Sequence, residues 1–124
     1  MAEEYRIWMM RAESSLALGL VQKSEHIYYE DLCFQLQQAA EKALKAFLIY
    51  HGIEPPITHS LVLLLRKVRQ VTDYPEELER VIELEDYAVQ TRYPGEYAPV
   101  EEEEYNRASQ IASYTVSWIR EQIL

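Results

Sequence analysis

Apolar residues recur at positions 32, 36, 39, 40, 43, 44 and 47 of the chain, the i, i+3, i+4, i+7 spacing of a helix with one apolar face. Gln35, Gln37, Gln38, Glu41, Lys42 and Lys45 fall on the opposite half of the same wheel. The pattern predicts a helix over about 29–51, which at 1.5 Å per residue spans roughly 30 Å. Gly52 supplies a left-handed stop, and Pro55 and Pro56 forbid continuation.

Four more helical segments follow from the same spacing. The first covers about 3–21, with Tyr5, Trp8, Met9, Ala12, Leu16 and Leu20 on one face. The third runs from about Ser60 to Val71, apolar at Leu61, Leu64, Leu65 and Val68, and basic at Arg66, Lys67 and Arg69. Asp73-Tyr74-Pro75-Glu76-Glu77 reads as a helix start, with a cap-type residue, a first-turn proline and acids at the positive end of the dipole. This fourth helix is expected to continue through Leu78, Val81, Ile82, Leu84 and Tyr87 to about Thr91. Arg92–Pro99, with two prolines and a glycine, is a loop by its composition. The last helix spans about 101–123, its inward side Tyr105, Ala108, Ile111, Ala112, Thr115, Trp118 and Ile119. Glu101–Glu104 fall at its N-terminus, where negative charge is favoured.

No strand pattern, internal repeat or low-complexity linker interrupts the series. Long helices with short connections imply an all-α, antiparallel up-and-down bundle of four to five helices, expected to form one domain over 1–124. The 48% apolar composition and only three glycines suit such a core. Ten tyrosines are too many for the core alone, because a buried hydroxyl needs a partner; some are expected at an interface or groove.

Charge narrows the partners. The formal net charge is −9, and residues 73–104 carry twelve acids against Arg80 and Arg92, while residues 1–72 are balanced. A broad phosphate-neutralising face needs clustered Lys and Arg, so no DNA partner is expected; a small basic notch remains compatible. Cys33 is the lone cysteine, which leaves no internal disulfide or Cys-based zinc site, and its place on the apolar face makes it a structural thiol. No apolar run follows a basic patch at the N-terminus, and no stretch reaches the ~20 apolar residues of a membrane span. A cytoplasmic location without membrane attachment is therefore expected.

Enzymatic patterns fail on spacing. Di-iron bundles need Glu-x-x-His pairs, but the residues three before His26, His51 and His59 are Lys23, Leu48 and Pro56. Glycines at 19, 52 and 95 build no phosphate loop, and no cofactor is implied. Two features carry potential chemistry. Lys42 and Lys45 share a helix face with Gln38 and Glu41; the alternative is a solvated face with an internal Glu41–Lys45 pair. Arg92-Tyr93-Pro94 offers a guanidinium fork and a stacking ring to a nucleotide; the alternative is an arginine capping carbonyls.

These motifs, in this order, resemble the HEPN family: Gln38-Ala-Ala-Glu41-Lys42-Ala-Leu-Lys45-Ala46 in the long helix, Pro56-Ile-Thr58-His59-Ser-Leu61 in the turn after it, and Arg92-Tyr93-Pro94 later. Trp8 and Ala12 also fit. The resemblance implies an all-α bundle that forms a homodimer, often paired with a minimal nucleotidyltransferase in toxin–antitoxin systems, with nucleotide binding proposed for the family. Its ribonuclease members carry Arg followed by four to six residues and then His. The candidate positions after Arg92 are Tyr97, Ala98 and Pro99, so the reading leans away from an enzyme. The expected function is a non-catalytic HEPN module with a nucleotide or short RNA as ligand. Lys42 and Lys45 are expected as phosphate contacts, Arg92 as a second anion contact, Tyr93 as a stacking surface and His59 as a hydrogen-bonding group. The competing functions are a metal-independent RNase toxin with an atypical centre using His59, and a ligand-free helical scaffold.

Overall fold

The computed structural model describes residues 3–89 and 98–124, and every regular element among them is helical. In chain order these are α1 (Glu4–Gly19), α2 (Tyr29–Tyr50), α3 (Leu61–Arg69), a 3₁₀ helix (Glu76–Ala88) and α4 (Glu102–Ile123). The all-α bundle expected from periodicity is what forms.

The bundle is built around α2, which packs against all four other helices. Its alanines make this possible: Ala39, Ala40, Ala43 and Ala46 are fully buried and let neighbours approach from several directions. α1 lies antiparallel to it, with the Tyr5 ring edge-on to Tyr50 at 5.0 Å near one end. At the other end Gly19 meets Leu36 so closely that a Cβ there would stand 2.6 Å from Leu36 Cδ2. α4 runs in the same direction as α2, since Tyr29 stacks on Tyr105 and Phe47 meets Trp118. The Tyr105 hydroxyl donates to the Gly19 carbonyl at 2.7 Å, giving one of the many tyrosines its partner and tying α4 to the end of α1. Cys33 is fully buried, as its place on the apolar face requires.

α2 ends where the sequence says it must. Gly52 adopts φ 76°, and the Ile53 amide donates back to the Leu48 carbonyl at 2.9 Å, a left-handed C-terminal cap that glycine adopts without a Cβ penalty. The Pro55–Ser60 segment then returns along α2, so that His59 stands beside Glu41 and α3 starts level with the middle of α2.

The fourth helix differs from expectation. It starts at Glu76 after Pro75, not at Asp73, and it is 3₁₀ for 13 residues, far longer than such runs usually are. Two physical causes act together. Leu78, Val81 and Leu84 are fully buried and Tyr87 partly so, an apolar row repeating every three residues. At three residues per turn these side chains line up on one face; at 3.6 the row would drift by about 60° per step. Ile82 is off the row and exposed, contrary to its expected inward place, as is Leu20 at the end of α1.

The second cause is reach. Glu85 accepts from the Leu61 amide at 2.5 Å and the Ser60 hydroxyl at 2.8 Å, capping the start of α3, while Glu79 binds Arg69 Nη2 at 3.0 Å at its end. Six residues of 3₁₀ helix rise about 12 Å, close to the ~13 Å length of the nine-residue α3. An α-helix would carry the two carboxylates only about 9 Å apart.

α4 is clamped to the 3₁₀ helix by Arg107, which grips both oxygens of Glu83 at 2.6 and 2.8 Å, and by Glu104, which accepts from the Tyr87 hydroxyl. The Arg107 hydrogen bonds hold the Glu83 carboxyl below its ordinary pKa, with the charges of Arg107 and Arg80 adding to them against a smaller desolvation cost. A carboxyl depressed in the folded state stabilises above its unfolded pKa, and that stability is lost as pH falls through the folded value. Glu83→Gln is therefore expected to flatten the acid limb of stability below about pH 4.3; chemical denaturation of both proteins across the acid range measures it, and identical slopes would contradict the clamp.

Candidate functional site: the polar arc of the central helix

Lys42 and Lys45 of α2 were expected as phosphate contacts, with a solvated face of Gln, Glu and Lys carrying an internal Glu41–Lys45 pair as the alternative. The fold instead covers most of these positions. Gln37 is fully buried, Glu41 is 4% exposed and Lys45 8%; Gln38 and Lys42 are half-buried. The cover comes from α1 on one side and the returning Pro55–Ser60 segment on the other.

Glu41 is the hub. Its Oε2 accepts from Lys45 Nζ at 2.9 Å, and its Oε1 accepts from Gln37 Nε2 at 3.3 Å and faces His59 Nδ1 at 3.0 Å. A carboxylate this buried needs several donors, and it has three. Gln37 also donates to the His59 carbonyl at 3.1 Å, so the turn is held by backbone and side chain together. Gln38 completes the chain by donating to Gln37 Oε1 at 2.8 Å. Because Nδ1 is the nitrogen that faces Glu41, a neutral His59 ring carries its proton there and turns Nε2 outward. The His59 side chain is 75% exposed while that of Glu41 is 5%, so the imidazole is anchored from below and presented to water.

The two lysines of the arc separate in role. Lys45 spends its charge internally, on Glu41 and over the Trp8 ring, whose centroid lies 5.5 Å from Nζ. Lys42 reaches across to α1 and donates to the Ser15 hydroxyl at 2.8 Å. Burial, chiefly, and then the nearby positive charge of Arg11 push the Lys42 pKa down, against a smaller opposing pull from Glu41. Of the residues expected from sequence, the fold links Lys45 and His59 through Glu41 and sets Lys42 beside them. Arg92 and Tyr93 lie outside the described residues.

Gln37, Ser15 and Arg11 were missed as site residues, as was the place of Trp8 over Lys45. Gln37 had a signal, since it stands four residues before Glu41 on the same face. Ser15 and Arg11 belong to a different helix, and only packing joins them to Lys42.

Other chemistry is sparse. Among the described residues no group of three or more His, Cys, Asp or Glu is placed to hold a metal ion, and no helix is long and apolar enough to cross a membrane. A depression of about 60 Å³ between the 3₁₀ helix and α4 is lined by Glu77, Arg80, Arg107, Gln110, Ile111 and Tyr114, where Arg107 is already committed to Glu83.

An all-α bundle wound about one central helix, with this polar arc meeting a Thr-His turn, defines a class that comparison identifies. The HEPN domain model matches residues 5–122, and the chain belongs to the HEPN family. Among solved structures it is similar to TT1696 from Thermus thermophilus, at 30% identity over 98% of this chain and 99% of that one, with a TM-score of 0.78. It is also similar to ST0689, an archaeal HEPN homologue, at 31% identity over 97% of this chain and 98% of that one, with a TM-score of 0.76. No curated protein matches the chain.

The Glu41–Lys45 pair makes a sharp energetic statement. Removing one partner strands a buried charge, whereas replacing both with apolar residues does not. Glu41→Ala is expected to cost about 3 kcal/mol of unfolding free energy, and Glu41→Leu with Lys45→Met together to recover most of that loss. Urea unfolding of the single and double variants checks this, and additive losses would contradict it.

Proposed function

We propose that the chain is a non-catalytic HEPN module that works as a homodimer beside a minimal nucleotidyltransferase, in a toxin–antitoxin arrangement, and receives a nucleotide or short RNA end on the polar arc of α2. Family membership supports the pairing with a transferase. The observation that carries the ligand reading is the asymmetry of the arc: Lys45 is neutralised inside by Glu41, while the anchored His59 is exposed and Lys42, bonded to the Ser15 hydroxyl, forms no ion pair among the described residues. In this reading Lys42 meets phosphate and His59 Nε2 meets a polar group of the ligand. Lys45 holds the arc in shape, while Arg92 and Tyr93 remain candidates for a second anion contact and a stacking surface. The missing Arg-x(4–6)-His spacing favours binding over cleavage.

The homodimer is supported by α1. Its inner face packs on α2, yet Ile7, Met10 and Leu18 on its outer face are 57%, 68% and 52% exposed, and Val21 just past its end is 42% exposed. A helix apolar on both sides belongs inside an assembly, and an apolar stripe of this kind marks a protein interface. A second copy presenting the same stripe is self-complementary.

Two measurements test these claims. Isothermal titration with ATP, GTP and a short RNA is expected to show binding that Lys42→Ala or Arg92→Ala weakens about tenfold, the loss of one charge-assisted contact. Unchanged affinities would remove the site, and RNA cleavage abolished by His59→Ala would replace this reading with the ribonuclease one. Light scattering is expected to give twice the 14.6 kDa chain mass and a monomer for Met10→Glu. A monomeric wild type would remove the dimer.

A further inference from the structure

We infer that Arg11, Ser15 and Lys42 form a phosphate-binding notch where α1 crosses α2. The inference rests on the reading of the chain as a nucleotide-binding module and goes beyond it, assigning the ligand's phosphate to three residues of which two, Arg11 and Ser15, no sequence motif singled out.

The notch is set by helix geometry. Arg11 and Ser15 are one turn apart on α1 and so share a face. Ser15 is 3% exposed, turned toward α2, and its Oγ accepts from Lys42 Nζ at 2.8 Å. A serine hydroxyl that accepts one hydrogen bond still carries its own hydrogen to donate. The Lys42 ammonium has two further N–H groups, and Arg11 brings its planar fork. Arg11, exposed one turn before Ser15 on the same face, is close enough for its charge to act on Lys42, so the three donors share one stretch of the α1–α2 seam.

No carboxylate forms an ion pair with Arg11 or Lys42 among the described residues. Glu41, next in sequence to Lys42, has its oxygens engaged by Lys45, His59 and Gln37. Glu13, two residues from Arg11, is paired with Arg120 on α4 at 3.0 Å. Arg11 itself pairs with no carboxylate among the described residues. In a chain of net charge −9, two cations left side by side are an unfavourable arrangement that a bound anion would relieve. Burial first, and the charge of Arg11 second, push the Lys42 pKa down. A phosphate dianion suits the set in charge and in donor number, since each of its oxygens takes more than one N–H or O–H. Arg11 also adjoins Met10 and Ile7 of the outer α1 stripe, which places the notch at the margin of the proposed dimer face.

The shared chemistry is a phosphate group, and its source is decided by experiment. The full-length chain is titrated with inorganic phosphate, ATP and a 5′-phosphorylated RNA, with chloride at equal ionic strength as control, and followed by thermal shift and by NMR of the Lys42 side chain. Wild type is expected to gain stability with phosphate and not with chloride, and the Lys42 resonances to move on binding. Arg11→Gln and Lys42→Met should each weaken phosphate binding roughly tenfold, Lys42→Arg should retain it, and Arg66→Gln, an exposed change on α3, should leave it intact. If phosphate binds and responds to these changes while ATP adds no affinity, the notch stands and the nucleotide reading falls. If ATP or RNA binds wild type and both weakened variants alike, the nucleotide reading stands and the notch is overturned. Absence of binding by every phosphate compound overturns the notch as well.

Discussion

One buried carboxylate organises the centre of this protein. Glu41 sits on the most enclosed helix of the bundle and is kept there by three donors: Lys45 from its own helix, Gln37 one turn earlier, and His59 from the turn beyond Gly52. A lone carboxylate at this depth would carry a desolvation penalty of several kcal/mol. Satisfied as it is, it fixes the Thr-His turn against α2, and with it the start of α3. It also removes Lys45 from the surface, which leaves Lys42 as the lysine of the arc outside an ion pair among the described residues. The proposed contact at His59 thus inherits its position from a carboxylate buried beneath it.

Much of the fold could be read from periodicity. The long helix, its stop at Gly52 and the acid-rich start of α4 all follow from residue spacing and capping chemistry, and all are present. The 3₁₀ helix was legible in principle: Leu78, Val81, Leu84 and Tyr87 repeat every three residues. Proline and acids at its start gave the same signal an α-helix gives, and the row of threes was absorbed into that reading. What decides the conformation is tertiary: the row of threes buries one face against the bundle, and Glu79 and Glu85 reach both ends of α3.

The polar arc shows why a helical wheel misleads for a central helix. A half-wheel of Gln, Glu and Lys normally means water. Here the turn carrying His59 and the Trp8 ring lie over that half, and the clue was the set of alanines that lets neighbours close in from more than one side. Lys42, Lys45 and His59 were identified by their resemblance to a family pattern, and the fold does link two of them through Glu41. The positions it gives them differ: Lys45 is a structural cation, His59 an anchored imidazole and Lys42 a half-buried donor to Ser15 of α1. Ser15 and Arg11 stayed hidden because nothing in a single sequence ties α1 to one particular turn of α2.

The claim on which the site rests is that Glu41 grips His59 through Nδ1 and turns Nε2 outward. Nitrogen-15 NMR of the histidine ring reads this directly. At a pH where His59 is neutral, the wild-type ring is expected to be mainly the Nδ1–H tautomer, and Glu41→Gln to shift it toward the Nε2–H form that a free imidazole prefers. A wild-type ring already in the Nε2–H form, unmoved by that substitution, would contradict the account.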